Sequence, residues 1–307
     1  MLEGEFLKNT DLEGFEFINV DDRSSSDQQF LGKSICAEKD IVYLQNYGSG
    51  VQQATDTVMK FVREHRPKCK WLICFQHDNY PLSKNFFSRI ATLVRDGKLD
   101  KFGLIGFNLL DDGEYCGDAK KQFLEGGKPL GAIAIFHFKN RTIGRVIAPT
   151  RTTLAIDNYE KFSKPFIVEM PMWAITGINL EKWFDHIEPT DNYEFHIWLP
   201  DIAMQFASQN VETLILPNLY CMNDQYLKEK YGLPKCSAHG AKIGLTQYFG
   251  AYGPHLAYFQ KRWGWDYECP WDTFPKDKHQ GTLLQTYFEH DLKTLQAPLK
   301  NYDLGDY

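Results

Sequence analysis

The 307-residue sequence lacks several features that would place it in a special class of protein. It has no apolar run near the ~20 residues that a membrane-spanning helix needs, no secretory N-terminal pattern, and no Cys-x-x-Cys pair. Its seven cysteines are an odd number and are scattered, which predicts a reducing compartment and no zinc ribbon. The sequence therefore predicts a cytoplasmic protein without a membrane span.

An excess of positive charge is also missing. The formal net charge is −6 at pH 7 and the pI is about 5.9, so nucleic acid is not indicated as a partner. Internal repeats and low-complexity tracts are absent from the sequence. What remains is a chain with 43% hydrophobic residues, long enough to bury an ample core in one large or two small domains.

Residues 71–81 carry the most information about function. The apolar opening 71–75 predicts a buried strand, which runs directly into His77, Asp78 and Asn79. Ligands of open α/β sheets bind at the carboxyl ends of strands, and a carboxylate beside a second oxygen donor suits a hard divalent cation. Asp, Asn and Pro are also common in ordinary turns. The pattern therefore predicts either metal ligands at Asp78 and Asn79 or a polar turn.

Two upstream segments have the same form. Residues 15–20 predict a strand that ends in Asp21 and Asp22, and a second strand, residues 41–45, ends at Asn46. Between this second strand and the one at residue 71, apolar residues at helical spacing predict a helix over 52–64. Strands that alternate with helices are typical of a parallel sheet built from right-handed crossovers.

Three of these elements, taken in order, resemble the nucleotide-sugar domain of GT-A fold glycosyltransferases. They are Val-Asp-Asp-Arg-Ser-Ser-Ser-Asp at 20–27, Asn-Tyr-Gly at 46–48 and His-Asp-Asn at 77–79. The family's elements read roughly Val-Asp-Asp-Gly-Ser-x-Asp, Asn-x-Gly and Asp-x-Asp at similar spacings. The resemblance implies a Rossmann-type α/β domain with a mostly parallel central sheet over residues 1–225, and an aromatic-rich C-terminal extension packed on it over 226–307.

The resemblance also implies an activity, namely transfer of a sugar from a nucleotide-diphosphate donor to the hydroxyl of a glycan or another acceptor, with inversion. Donor binding would fall to residues of the three motifs: Asp21, Asp22, Ser24, Asn46, Gly48 and His77. A Mn²⁺ or Mg²⁺ ion would be held by Asp78 and Asn79, with a late ligand at His239.

A fourth match lies in the second half of the chain. Asp201 opens a predicted helix after Pro200, at the position where inverting members carry their general base. An ordinary helix N-cap is the alternative.

A segment ahead of this helix carries Trp173 and Gly177. Glycine permits close approach of a ligand, and an indole gives a platform for a sugar ring. A Trp that is simply buried beside a helix is equally expected. The resemblance implies acceptor or sugar contacts at Trp173, Thr176, Gly177 and Trp198.

The sequence departs from the family pattern in three places. The family's first strand, ending in Pro-x-Tyr-Asn, has no match ahead of residue 15. The metal motif has one carboxylate. Residues 111–151 match no family element, so they are interpreted as an insertion.

Two other functions stay open. A nucleotidyltransferase would need a Gly-rich phosphate loop, which is not found, whereas a non-catalytic carbohydrate-binding protein on the same fold needs none.

Overall fold

The computed structural model describes part of the chain, including most residues of the predicted donor motifs. The described residues are 6, 12, 14–48, 50–77, 79–111, 119–127, 164–168, 171, 175–193, 198–223, 257–259, 261–263 and 296–305. Three predicted site residues, Asp78, Trp173 and His239, lie outside them. So do most of the predicted insertion and most of the C-terminal extension.

Helices and strands alternate through the first part of the chain. The strands are β1 (Ile18–Asp21), β2 (Val42–Gln45), β3 (Trp71–Phe75), β4 (Asn79–Pro81), β5 (Phe102–Asp111), β6 (Phe166–Val168), β7 (Ile175–Asn179) and β8 (Glu212–Asn223). The helices are α1 (Ser26–Glu38), α2 (Gly50–His65), α3 (Phe86–Arg95), α4 (Ala119–Leu124), α5 (Leu180–His186) and α6 (Trp198–Ser208), with a 3₁₀ turn at Ala297–Leu299. No helix of the described residues is long and apolar enough to cross a membrane.

The predicted α/β class and its first strands are confirmed. Strands occur at each of the three predicted positions 15–20, 41–45 and 71–75, and the predicted helix over 52–64 lies within α2. The helix forms because its apolar residues recur on one face: Val58, Met59 and Val62 are buried, whereas Lys60 is exposed.

The prediction of a mostly parallel central sheet is wrong. Strands β1 and β2 form a two-stranded parallel sheet, and a six-stranded mixed sheet has the order β3-β7-β5-β8-β4, with β6 also paired to β8. Among the described strands of the larger sheet, β5 and β8 pair in parallel and the other pairs are antiparallel. All five residues of β7 are buried, and a strand buried on both faces has the same apolar sequence in either direction. Its orientation therefore could not be read from its residues.

Hydrophobic cores lie on both faces of the strands. One core contains α3 and includes Phe86, Phe87 and Ile90. The other packs α2, α5 and α6 against β5 and β7, and the partly buried Ile18 and Leu72 join it from β1 and β3. Because the same helix layer covers β1 and β3, the small sheet and the large sheet belong to one layered α/β unit.

Contacts at the two ends of helix α2 show the direction of the first two strands. Its first residue, Gly50, hydrogen-bonds Asp22 just after β1, and Arg66, just after its last turn, binds Glu16 ahead of β1. Helix α2 is therefore antiparallel to β1. Strand β2 pairs in parallel with β1, so the carboxyl ends of β1 and β2 face the amino end of α2.

Candidate functional site

The loops after β1 and β2 are joined by the Asp22 carboxylate. The backbone N–H of Gly50 donates to both carboxylate oxygens of Asp22, at 3.1 and 3.0 Å, and Asn46 Nδ2 donates to Asp22 Oδ1 at 2.8 Å. Gly50 has φ +87°, a conformation that a side chain would strain. Two motifs that are 24 residues apart in the sequence are thus one structural unit.

Asn46 holds the second loop from inside. It is 4% exposed. Its Nδ2 also donates to the Gly50 carbonyl at 3.2 Å, and its Oδ1 accepts from the Gly48 N–H at 3.2 Å and from Thr57 Oγ1 at 3.4 Å. Because the Asn46 side chain bonds two backbone groups of the loop as well as Asp22 and Thr57, it sets the backbone path of 46–50.

The first loop presents a different set of groups. Asp21 Oδ1 accepts from the Ser24 N–H at 3.0 Å, and the Ser24 side chain is exposed. Asp22 meets the positive end of the α2 dipole, so the anion position at this helix end is already filled by the protein itself. We therefore expect these loops to bind the uncharged part of a ligand, near Asp21 and Ser24, more readily than a phosphate.

The third predicted motif is described only in part. His77 is exposed just after β3. Asn79 is 2% exposed at the start of β4, in register with Asn223 of β8. Within the ranges that the structure describes, no group of three or more His, Cys, Asp or Glu side chains is arranged to hold a metal ion. The metal roles predicted for Asp78, Asn79 and His239 stay predictions.

The residues predicted to contact the acceptor are deeply buried where they are described. Thr176 and Gly177 lie within β7, between β3 and β5. A β-carbon at Gly177 would lie 2.3 Å from Ile105 Cγ1, so close packing of the sheet by itself requires glycine there. Trp198 is the first residue of α6 and is buried in the second core. Their contacts with an acceptor stay predictions, and packing gives each of them another role.

Asp201 is enclosed by hydrogen-bond donors. Its Oδ1 accepts from Trp263 Nε1 at 2.7 Å and from the Tyr193 hydroxyl at 3.1 Å, and its Oδ2 accepts from Gln205 Nε2 at 2.8 Å and from Arg262 Nη1 at 3.1 Å. The residue is 2% exposed, in the first turn of α6. Burial raises the pKa of the Asp201 carboxyl, and the surrounding donors oppose that rise.

The Asp201 network ties three segments of the chain together. Arg262 also contacts Glu188 at 3.4 Å, and Gln205 Oε1 accepts from the Glu188 N–H at 2.7 Å. Helix α6, the loop 187–193 and the segment 261–263 therefore meet at one carboxylate. A carboxylate with four donors has no oxygen left to receive an acceptor's proton, so this arrangement is typical of a structural anchor. The general-base role of Asp201 stays a prediction.

A second carboxylate cluster bridges the loop 187–193 and the loop after β2. The Tyr47 hydroxyl donates to Asp191 Oδ1 at 3.1 Å. Burial and the charge of Asp56 on α2 raise the pKa of Tyr47 to about 12. Lys60 Nζ lies 4.3 Å from the centre of the Tyr47 ring. Burial and the Asp191 charge raise the pKa of Asp56 to about 6, while Lys60 opposes the rise.

The sequence motifs did not reveal the partners in these two clusters. Arg262 and Trp263 belong to an aromatic-rich stretch whose composition fits many kinds of packing, and Asp191 follows Thr190 in what is an unremarkable turn sequence. Asp56 is the one residue with a readable signal, because a carboxylate in the middle of an amphipathic helix beside the buried face predicts a partner.

Comparisons with known proteins identify no relative by sequence: no family model matches the chain, and no curated protein matches it. Similar solved structures include a crystal structure of GalNAc-T7 with UDP, GalNAc and Mn²⁺, at a TM-score of 0.47 and 12% identity, covering 94% of this chain. The match covers 52% of that chain, so this protein spans about half the length of that structure. Another is A197 from STIV, at a TM-score of 0.34 and 11% identity, covering 67% of this chain and 82% of that one.

Proposed function

We propose that this protein transfers a sugar from a nucleoside-diphosphate donor to an acceptor hydroxyl. The proposal rests on one observation: the motifs at 20–27 and 46–48 are hydrogen-bonded to each other at the carboxyl ends of two neighbouring parallel strands. In open α/β sheets this end of the strands is where nucleotides and other ligands bind. The sequence resemblance then names the ligand class.

The residues of the two loops divide into two roles. Asp22 and Asn46 are positioning residues, because their polar groups are used to shape the loops. Asp21, Ser24 and Gly48 lie beside them and contact the base or ribose of the donor. Since Asp22 occupies the amino end of α2, the diphosphate is bound elsewhere, on the side of His77 and residues 78–79.

Departure of the nucleoside diphosphate needs its developing negative charge to be neutralised, by a cation or by fixed donors. A divalent ion at Asp78, Asn79 and His239 would supply that charge as a Lewis acid. The described residues contribute only Asn79 to this set, so the ion remains part of the proposal. The proposal does not include the stereochemistry of transfer, because the prediction of inversion was based on Asp201 acting as the general base.

A non-catalytic sugar-binding protein on the same fold is the second candidate. The anchored state of Asp201 favours it, since the carboxylate predicted to activate the acceptor is fully hydrogen-bonded within the protein. Both candidates require a nucleotide or sugar ligand at the loops after β1 and β2, and they differ in turnover.

The first test is thermal unfolding with a panel of nucleoside diphosphates that carry each of the common bases, with Mn²⁺ or with a chelator. At a concentration about 100 times its Kd, a ligand of the native state adds about 2.7 kcal/mol to the free energy of unfolding. We expect one member of the panel to raise the Tm by several degrees, which is about the shift expected for a chain of this size. If no member of the panel raises the Tm, the protein does not bind a nucleotide donor.

A further inference from the structure

The loop 187–193 is held in place by the second half of the chain. The Glu188 N–H donates to Gln205 Oε1 at 2.7 Å, and the Tyr193 hydroxyl donates to Asp201 Oδ1 at 3.1 Å. Both acceptors lie on α6. The loop is therefore bonded to that helix near each of its ends, and it can serve as a support for a group that binds between them.

The Tyr47 hydroxyl connects this support to the loop after β2. It donates to Asp191 Oδ1 at 3.1 Å, and the two residues are 144 positions apart in the sequence. Tyr47 is 49% exposed and Asp191 is exposed as well. Water competes for both groups at such a place, so the contact contributes little to the stability of the fold.

Two further contacts hold Tyr47 against α2. Its backbone N–H donates to Thr57 Oγ1 at 3.5 Å, and Lys60 Nζ lies 4.3 Å from the centre of its ring. An exposed side chain normally keeps much of its rotamer freedom. Because Tyr47 is held at its backbone, its ring and its hydroxyl, it can set the position of the backbone next to it.

Gly48 follows Tyr47 directly and is the donor contact that the bridge would position. The Gly48 N–H donates to Asn46 Oδ1 at 3.2 Å, which holds the residue from the buried side of the loop. The contact between Tyr47 and Asp191 holds the neighbouring peptide from the exposed side. A loop that is already ordered loses less entropy when the ligand binds, and this preorganisation raises affinity.

We propose that Tyr47 is a positioning residue for the nucleotide donor, because its hydroxyl, bound to Asp191, holds Gly48 in the donor-binding position. The inference rests on the proposed function, since it concerns the same donor loop. It gives the loop 187–193, in which no donor contact was predicted, a role in donor binding. The Asp201 network, which holds that loop, then acts on the donor loop through the Tyr47 hydroxyl.

Titration calorimetry of the full chain, with the nucleoside diphosphate that raises the wild-type Tm most, tests this role. Tyr47→Phe keeps the ring but lacks the hydroxyl, and it should weaken binding about fivefold, as expected for the loss of one hydrogen bond. Asp191→Ala removes the acceptor and should weaken binding equally. Asp191→Asn keeps an oxygen that can accept from the hydroxyl, so it should bind with wild-type affinity.

A double variant separates one shared contact from two independent effects. If Tyr47 and Asp191 act through their hydrogen bond, the protein with both Tyr47→Phe and Asp191→Ala should bind no more weakly than either single variant. The urea midpoints of all these variants should stay close to that of the wild type. Tyr302→Phe is the matched control, because the Tyr302 hydroxyl donates to the Lys98 carbonyl in another part of the chain. It should bind as the wild type does.

The outcomes distinguish this inference from the proposed function. A wild-type protein that binds no nucleoside diphosphate of the panel overturns both. If the wild type binds and Tyr47→Phe binds equally well, the positioning role alone is overturned. It is also overturned if the two single effects multiply in the double variant, if Asp191→Asn binds as weakly as Asp191→Ala, or if the Tyr302 control loses affinity as well.

Discussion

Replacing Asp201 with asparagine is expected to lower the free energy of unfolding by roughly 3–5 kcal/mol, the usual cost of removing one partner of a buried ion pair. The carboxylate accepts four hydrogen bonds. An amide NH₂ in place of either oxygen faces two donors and accepts from neither. Arg262, whose side chain is mostly buried, also loses its buried counter-charge and keeps only the exposed Glu188 as an ion-pair partner.

Urea unfolding measures this change, with Asp185→Asn as the exposed control that should lie within about 0.5 kcal/mol of the wild type. Trp263→Phe removes a single donor and should cost less, about 1–3 kcal/mol for a buried acceptor left with fewer bonds. An Asp201→Asn variant as stable as the wild type would contradict the anchor role.

The general-base role makes a different prediction for the same variant. A base acts on the acceptor, so Asp201→Asn would keep its donor affinity and lose transfer by a factor of ~10² or more, beyond any effect of its lower stability. Trp263→Phe keeps the carboxylate and would then keep most of the activity. If Asp201 is an anchor, the fall in activity of each of the two variants should be in proportion to its fall in the free energy of unfolding.

The second large effect is expected for Asp22→Ala. This change removes the acceptor for the Gly50 N–H and for Asn46 Nδ2, so the loop 46–50 loses its link to the loop after β1. Affinity for the nucleoside diphosphate that stabilises the wild type most should fall at least ~10-fold, equivalent to about 1.4 kcal/mol. Titration calorimetry measures the affinity directly.

Asp185→Ala serves as the control for Asp22→Ala, since it removes an exposed carboxylate of α5, a helix that contributes no residue to either donor loop. The Asp22 variant should also lose about 1–3 kcal/mol of stability, because the backbone donor at the start of α2 is left without its partner. Unchanged nucleotide affinity in a folded Asp22→Ala protein would remove these loops from the binding site.

The sequence allowed the local elements to be predicted. Periodicity placed β1 to β3 and α2 because an apolar face buried in a layered fold repeats at a fixed interval. The sequence also put Asp22 and Asn46 each at the end of a strand, and the parallel pairing of those strands explains why the two residues meet.

Long-range pairing could not be predicted in the same way. The direction of β7 is shown by its antiparallel pairing with β3 and β5, which are distant in the sequence, and its uniformly buried residues carry no sign of that direction. The donors to Asp201 from Arg262 and Trp263 are 61 and 62 residues away. A buried carboxylate signals that it needs partners, but its own sequence neighbourhood does not say which residues supply them.

The central claim, sugar transfer from a nucleotide donor, is tested most directly by following nucleoside-diphosphate release from a panel of nucleotide sugars, with the wild-type protein and Asp22→Ala side by side. We predict slow release from one donor by the wild type, even with water as the acceptor, and a loss of that release in the Asp22 variant. A wild-type protein that binds a nucleotide sugar and leaves it intact would contradict transfer and identify the chain as a binding protein.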